Sequence, residues 1–415
     1  MNDVVPESGD ACGYRHLDHA NDFEPSTGHA WLRDRCPVHI EGGNEPPFYV
    51  VSRHDDSLAI LKQPDLWGNR DGPGIFFQEG GVLGSADNPD HDRQRRVLRR
   101  VFLPTVIARI EPRVAVVVDA MIDEFLPSGR GDFVSGYAFT MPALVIGELL
   151  GVDPADRNDF RDWSTAVVNG LGGGDLDLYR TATENIVRYI HHQVDLRAAM
   201  LGRTELAPDD DPVGRELPDD AISVMYVAHL RGELRRGEIG RLGHQMLVAG
   251  HETTTGLLGL MMYRFCQNPE LLEQIRADRS LLEAAVEEGL RFDSPVQGLF
   301  RTNQEPVRLG DHNIAERTKL QVLFASANRD PQRWTDPDTF RLDRDVRDLR
   351  QHLAFGWGRH YCIGAPLARI ETRLTFDRIA DRMFDIALDG EPTLSETFIL
   401  RGFTSLPMTW RSPGT

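Results

Sequence analysis

His352-Leu-Ala-Phe355-Gly356-Trp-Gly358-Arg-His360-Tyr-Cys362-Ile-Gly364-Ala-Pro366-Leu-Ala-Arg369 is the stretch from which the rest of the chain is read. A single cysteine, Cys362, stands between a glycine-rich turn and a helical pattern. Leu367, Ile370 and Leu374 recur at i, i+3 and i+7, which predicts a helix beginning close to Cys362. A thiol there faces backbone N–H groups that no helical carbonyl satisfies, and the positive end of the helix dipole. Both favour thiolate over thiol. Gly356, Gly358 and Gly364 let the backbone turn tightly and approach a flat ligand closely. Pro366 is tolerated in the first turn of a helix, where a missing N–H costs little. An arbitrary cysteine is more often a small core hydrophobe, and these residues alone leave that reading open beside the chemical one.

A lone thiolate held in this way suits one axial bond to a haem iron. The pattern Phe355-Gly-x-Gly-x-His-x-Cys362-x-Gly-x-x-Leu-Ala-Arg369 resembles the haem-binding signature of the cytochrome P-450 superfamily. The resemblance implies that Cys362 is the proximal ligand of haem b and that Phe355 packs beside its sulfur. It places Gly356 and Gly364 in the loop around the haem. His352, and His360 or Arg359, would lie near the propionates.

The chain has 415 residues, enough for two or three average domains by length alone. The matching motifs run from about residue 88 to residue 369, and in the resembling family they converge on one haem. The expectation is therefore a polar leader, 1–25, followed by one haem-thiolate monooxygenase domain, 26–415. That domain would be mainly α with a small β region, in the cytochrome P-450 fold, with a long central distal helix and a proximal cysteine loop. A formal net charge of −18 argues against nucleic acid as a partner. No run of about 18 apolar residues exists, and residues 1–23 lack the apolar core of a signal peptide. Cys12, Cys36, Cys266 and Cys362 are far apart and form no metal-like pair, which fits a reducing cytoplasm.

A long, largely apolar helix is expected from about Arg236 to Cys266, and its middle is odd: Ala249-Gly-His-Glu252-Thr253-Thr-Thr-Gly256. Gly inside a helix costs about 1 kcal/mol against Ala, and β-branched Thr is mildly unfavourable. Glu252 in such a helix must be solvated or paired. Local rules broken at one spot mark a functional site, although a helix that merely bends there would show the same residues. Ala-Gly-x-Glu-Thr-Thr resembles the family's distal helix. The resemblance implies that Ala249 lies against the haem and that Glu252 and Thr253 are the acid–alcohol pair that relays protons to bound dioxygen. His251 fills the variable position.

Five arginines fall between Arg93 and Arg100, conspicuous in an acidic chain. Such a run is ordinarily a solvated face. Asp87-x-Pro89-Asp90-His91-x-x-x-Arg95-Arg96 resembles the family helix that crosses the proximal side. By that match His91 and Arg95 hold propionates, as fixed cationic donors should, and the other arginines face an acidic redox partner. Glu288-x-x-Arg291 matches the family's structural pair, with Arg344 as its later partner. Arg301 matches a propionate-binding arginine on a β-type run, Phe300–Asn303, and a second such run is expected at Leu320–Ala325. Where the family has Gly before Thr318, Arg317 stands instead, which puts that turn's geometry in doubt. The Gly-, Asp- and Pro-rich loop 64–88 carries Ile75, Phe76 and Phe77, and the chain's end, Phe398–Gly402 with Leu406–Trp410, resembles the family's terminal hairpin. With Val248, Ala249, Val296, Gln297, Leu299, Ile399 and Leu400, the three loop residues are the expected substrate wall, mostly apolar.

The resemblance thus implies a monomeric monooxygenase that inserts one oxygen atom of O2 into a hydrophobic small molecule, such as a terpenoid, steroid, fatty acid or polyketide. NAD(P)H would supply electrons indirectly, through a ferredoxin reductase and a ferredoxin. Two other readings stay open. One is a peroxide-driven or non-oxygenating haem-thiolate enzyme, disfavoured by the presence of both Glu252 and Thr253. The other is a haem-binding sensor or electron carrier without turnover.

Overall fold

The computed structural model describes residues 27–41, 48–75, 77, 78, 80–171, 175–207, 209–395, 397 and 399–412. The expected leader, Phe76 and Phe398 lie outside the described residues. In chain order the helices are α1 (Thr27–Arg35), α2 (His54–Leu61), α3 (Asp90–Leu98), α4 (Pro104–Phe125), α5 (Thr140–Leu150), α6 (Arg157–Leu171) and α7 (Leu176–Leu201). They continue with α8 (Ala221–Leu230), α9 (Arg236–Gln267), α10 (Pro269–Ala277), α11 (Leu281–Asp293), α12 (Phe324–Ala327), α13 (Val346–Leu349) and α14 (Ala365–Arg382). The strands are short: β1 (Val38–Glu41), β2 (Phe48–Val51), β3 (Trp67–Gly68), β4 (Arg130–Asp132), β5 (Leu299–Asn303), β6 (Val307–Leu309), β7 (His312–Ile314), β8 (Lys319–Val322), β9 (Phe384–Leu388), β10 (Thr393–Leu394), β11 (Phe403–Ser405) and β12 (Pro407–Arg411). The chain is therefore mainly helical with small sheets. The chain divides into two compact units. The first takes the residues up to Asp87, Glu283–Cys362 and Leu394–Gly402; the second takes Asn88–Leu282, Ile363–Thr393 and the residues from Phe403 on.

The first unit is built on a sheet in the order β1-β2-β8-β5-β3. Strands β2 and β8 run parallel, with Val50 opposite Gln321, and the other pairs are antiparallel. Alternate residues point to opposite faces, and each face has its own core. Val51, Leu320 and Val322 join Ile60, Leu61, Trp67, Phe324 and Leu353 on one side. Phe48, Val50 and Phe300 join Leu32 and Leu323 on the other, where Phe48 and Phe300 meet edge to face at 5.0 Å. Each such buried side chain contributes about 1.5–3 kcal/mol. On α11, Arg291 donates to both carboxylate oxygens of Glu288, at 2.7 and 2.8 Å, and both residues are fully buried. Arg344 Nε adds a third donor at 3.2 Å, as the match implied.

Two local expectations change. The β-type run at Leu320 stops at Val322 and becomes the short helix α12. Asn328, at its C-terminal end, fixes that turn: its amide donates to Ser294 Oγ and its carbonyl accepts the Leu353 N–H. Arg317 stands at φ +59°, so the turn keeps a left-handed residue without the glycine that relieves it.

The second unit gathers around α9, which packs against α5, α6, α7, α8, α10 and α14. A sheet in the order β4-β12-β9 closes it. The expected terminal hairpin is thereby corrected: residues 407–411 pair with Arg130–Asp132 and with β9 rather than with residues 398–402. Among the described residues no helix is long and apolar enough to cross a membrane. Cys36 is disulfide-bonded.

Candidate functional site

In the first unit the cysteine loop is held by its own backbone. Gly356 and Gly358 stand at φ +67° and +68°, a region that side-chain-bearing residues rarely occupy. The Cys362 N–H donates to Phe355 O at 2.9 Å, the Tyr361 N–H to Gly358 O and the Gly356 N–H to Leu353 O. Cys362 emerges as an exposed thiol outside any disulfide. Cys266 is a thiol too, but burial pushes it up to about 12, so among the described residues Cys362 is the thiol with the access a metal ligand needs. The following helix, α14, begins at Ala365, with Gly364 as its N-cap and Pro366 in the first turn.

The neighbours expected around the propionates are placed as follows. The Phe355 ring lies between the rings of His352 and Tyr361, at 5.8 and 6.2 Å. His352 is buried, with Nε2 3.0 Å from Glu287 Oε2 and Nδ1 accepting the Ala354 N–H at 3.2 Å. A ring nitrogen that accepts carries no hydrogen, so Nε2 is the protonated one. Arg359 pairs with Asp65 at 2.6 Å. His360 Nε2 lies 3.8 Å from Asp87 Oδ1. Burial raises the Asp87 carboxyl, but the nearby His360 imidazole and hydrogen bonds from the Asn69 and Arg70 N–H groups outweigh it and hold the group below its ordinary range. Arg301, on β5, is 5 % exposed. Among the described residues its hydrogen bond is to Phe300 O at 2.8 Å. Burial brings its guanidinium down to about 10, with only distant Asp87 opposing. A buried cation without an ion pair calls for an anionic partner.

The expected substrate wall divides. Ile75 and Ile399 pack on the cluster of Phe48, Val50 and Phe300. Val296 and Leu299 pack on the opposite face, and Val296 bridges to Leu400. Gln297 turns its amide to the carbonyls of Asp293 and Ser294, at 3.1 and 2.6 Å, so its side chain caps α11. Phe77 is 39 % exposed and lies under two cations, Arg317 at 5.1 Å and Lys319 at 5.0 Å. Lys319, unmarked in the sequence reading, ties the loop: its Nζ donates to Asp71 O and Gly72 O at 2.8 and 2.7 Å.

In the second unit, Glu252 and Thr253 sit half-buried at the middle of α9, with Val248 one turn before Glu252 and Ala249 exposed. Burial alone pushes the Glu252 carboxyl up to about 7. The Thr253 hydroxyl donates to Ala249 O at 2.8 Å, which leaves its oxygen lone pairs to accept. His251 is fully buried, bonded on both ring nitrogens to Ser164 Oγ and Phe139 O. On α14, Glu371 is buried and hydrogen-bonded to Thr254; burial raises it well above a carboxylate's usual range and the Thr254 bond only partly offsets this. The sequence reading missed Glu371, although the signal was present. It follows Leu367 by four residues and precedes Leu374 by three, so it stands on the apolar stripe of its helix.

The arginine helix α3 needs one correction. Arg93 does not face outward. It donates to both oxygens of Glu238, at 2.9 and 2.6 Å, and to Asp90. Burial raises Glu238, and hydrogen bonds from Arg93, the Arg235 N–H and Gln94 overcome this to bring it down to about 2. Arg100 likewise pairs with Glu233. Buried or half-buried carboxylates thus claim two of the five arginines. Arg96 and Arg99 remain exposed and Arg95 half-buried. His91 is buried, with Nδ1 2.9 Å from Asp92 Oδ1.

These side chains fit a haem: an exposed thiol on a loop held by its own backbone, and a buried guanidinium that forms no ion pair among the described residues. Comparison with known proteins agrees. The family profile described as Cytochrome P450 matches residues 178–398. The cytochrome P450 monooxygenase PikC of Streptomyces venezuelae is 33% identical over 404 residues, covering 94% of this chain and 91% of that protein. The cyclomarin C epoxidase CymV of Salinispora arenicola is 32% identical over 374 residues, covering 88% of this chain and 91% of the relative. The structure of cytochrome P450 CYP109Q5 from Chondromyces apiculatus superimposes with a TM-score of 0.84 at 30% identity, covering 97% of this chain and 99% of that one. With a family profile matching over half of the chain, a relative 33% identical over 94% of it and a fold shared over 97% of it, the chain belongs to the cytochrome P450 family.

Proposed function

We propose that this haem-dependent monooxygenase hydroxylates or epoxidises a hydrophobic small molecule of the terpenoid, steroid, fatty-acid or polyketide kind. It would draw electrons from NAD(P)H through a ferredoxin reductase and a ferredoxin, and work as a cytoplasmic monomer with residues 26–415 acting as one domain. The observation that carries the reading is the pair on α9: a carboxyl brought to about 7 by burial beside a hydroxyl that still has lone pairs to offer.

Haem, when bound, supplies oxygen activation. Cys362 would hold the iron, and Arg301 with His91 and Arg95 the propionates. His352, committed to Glu287 and the Ala354 N–H, braces the cysteine loop while lying next to Phe355. Near neutral pH Glu252 is divided between its two protonation states, which a group that takes up and releases protons requires. Thr253 would accept a hydrogen bond from a water at its oxygen while donating to Ala249. It therefore holds that water in place, and donates itself only when the Ala249 bond opens.

The apolar character of Ile75, Val248, Val296, Leu299, Ile399 and Leu400 supports a substrate with few charges. A screen of hydrophobic compounds, read as displacement of iron-bound water in the Soret band, tests this. Binders should come from the apolar classes, and a response to charged hydrophilic compounds alone would contradict it. The ferredoxin reading rests on Arg96 and Arg99. Changing both to Glu should slow reduction by an acidic ferredoxin severalfold at low salt, and the difference should shrink as salt rises and screening shortens to about 8–10 Å. Equal rates for variant and parent would place the docking face elsewhere.

A further inference from the structure

His251 is the member of the α9 turn that no step above uses, yet it is fully buried and saturated with partners. Its Nε2 lies 2.7 Å from the Phe139 carbonyl, which only accepts, so Nε2 carries the ring hydrogen. Nδ1 must then accept, and the Ser164 hydroxyl on α6 donates to it at 2.7 Å. The Phe139 ring meets the imidazole at a steep angle, 4.3 Å between centroids. Burial draws the imidazole down to about 4 despite the Phe139 bond. The ring is neutral, in one tautomer, across the pH range where Glu252 titrates.

The other end of this arrangement is the segment leading into α5. Val134–Ala138 form a π-helical turn, in which the Phe139 N–H reaches back to Val134 O at 2.9 Å. Four residues after Ala138 stands Pro142, which has no N–H, so the Ala138 carbonyl lacks its helical donor. Thr255, one turn after His251 on the same face of α9, turns its hydroxyl to Ala138 O at 3.1 Å, sharing it with His251 O. The carbonyls of Ala138 and Phe139 are thus both met by side chains of α9, on either side of Glu252 and Thr253.

We propose that Ser164, His251 and the π turn form a strut that sets the orientation of the Glu252–Thr253 turn from helix α6, with His251 as a positioning residue. This rests on the reading of Glu252 and Thr253 as the proton path. A bond of 2.7 Å has about 0.8 Å of slack before it is lost. A larger displacement of α6 leaves Nδ1 a buried acceptor without a donor, which is unfavourable. The imidazole then follows α6 or reorients, and the residue bonded to it in the chain, Glu252, moves with it.

Ser164→Ala removes only the hydroxyl, and Ser164→Thr returns it. In the haem-loaded protein, backbone hydrogen exchange over Glu252–Gly256 should be about tenfold faster in Ser164→Ala and close to the parent in Ser164→Thr. Unchanged exchange in the alanine variant overturns the strut. The second reading is the share of NAD(P)H oxidation that ends as hydrogen peroxide. Ser164→Ala should raise it about threefold, Ser164→Thr should not, and Ser164→Ala added to Thr253→Ala should raise it no further. A Ser164→Ala effect that adds fully to that of Thr253→Ala contradicts positioning through this turn. Should Thr253→Ala alone leave peroxide unchanged, the acid–alcohol reading fails, and the exchange measurement still decides the strut.

Discussion

The cysteine loop of the first unit and the α9 turn of the second break local rules in different ways. The loop breaks them in its backbone. Gly356 and Gly358 take left-handed conformations, and the loop is closed by main-chain hydrogen bonds between Phe355 and Cys362 and between Leu353 and Gly356. The α9 turn keeps a helical backbone from Arg236 to Gln267 and breaks the rules with side chains. It buries a histidine and half-buries a carboxyl, and it spends three threonine hydroxyls on Ala249 O, Ala138 O and Glu371. On the proposed reading, the site that would hold one atom still is made by backbone, and the site that would move protons is made of side chains.

The α9 turn should therefore fail chemically before it fails structurally. Glu252→Gln should slow turnover about a hundredfold, within the range of general acid–base groups, measured as product formed under saturating substrate and ferredoxin. The same substitution has a stability signature. The native carboxyl titrates at about 7 and the unfolded one at its ordinary value, 4.5. Between those values the native state binds more protons, so Glu252 makes stability fall as pH rises from about 4.5 to 7. Denaturant titrations of parent and Glu252→Gln over that window should differ in slope, the variant losing that part of the decline. Parallel curves would show that the carboxyl is better solvated than its burial implies.

Thr253→Ala should have a smaller and different effect. Oxygen and NAD(P)H consumption should persist while product per electron pair falls about tenfold and peroxide rises, because the water-holding hydroxyl is lost and Glu252 remains. A variant that stays fully coupled would shift the role to Thr254 or to a hydroxyl of the substrate.

The cysteine loop should show the reverse order. Gly356→Ala adds one methyl at φ +67°, where a Cβ meets nothing closer than His360 O at 3.8 Å, so the cost is conformational rather than steric. About 1–2 kcal/mol of stability should be lost, seen as a lower denaturation midpoint, with coupling unchanged. A loss of coupling at preserved stability would undo the distinction between the two regions.

The difference also explains what could be read in advance. The loop was legible because glycine spacing and a helix start are local properties. The span of α9 and the Glu288–Arg291 pair were legible for the same reason, through periodicity and short spacing, whereas Arg344, distant in sequence, was reached only through the family resemblance. What escaped depends on partners distant in sequence. Arg93 looked like a solvated or docking charge because its partner, Glu238, lies on another helix. Gln297 looked like a wall residue because its capping of Asp293 and Ser294 needs a turn the sequence does not announce. His251 looked variable, and its two bonds reach residues 87 and 112 positions away. The end of the chain looked like a hairpin because nothing local indicates that β12 will pair with Arg130–Asp132.

The central claim is that the Cys362 sulfur ligates a haem iron, and the reduced protein under carbon monoxide tests it most directly. The parent should absorb near the wavelength characteristic of thiolate-ligated haem, and Cys362→Ser should lose that band while still taking up haem, since Arg301 and the loop backbone are untouched. A Cys362→Ser protein that keeps the thiolate band would mean that another residue ligates the iron, and would contradict the assignment of the loop.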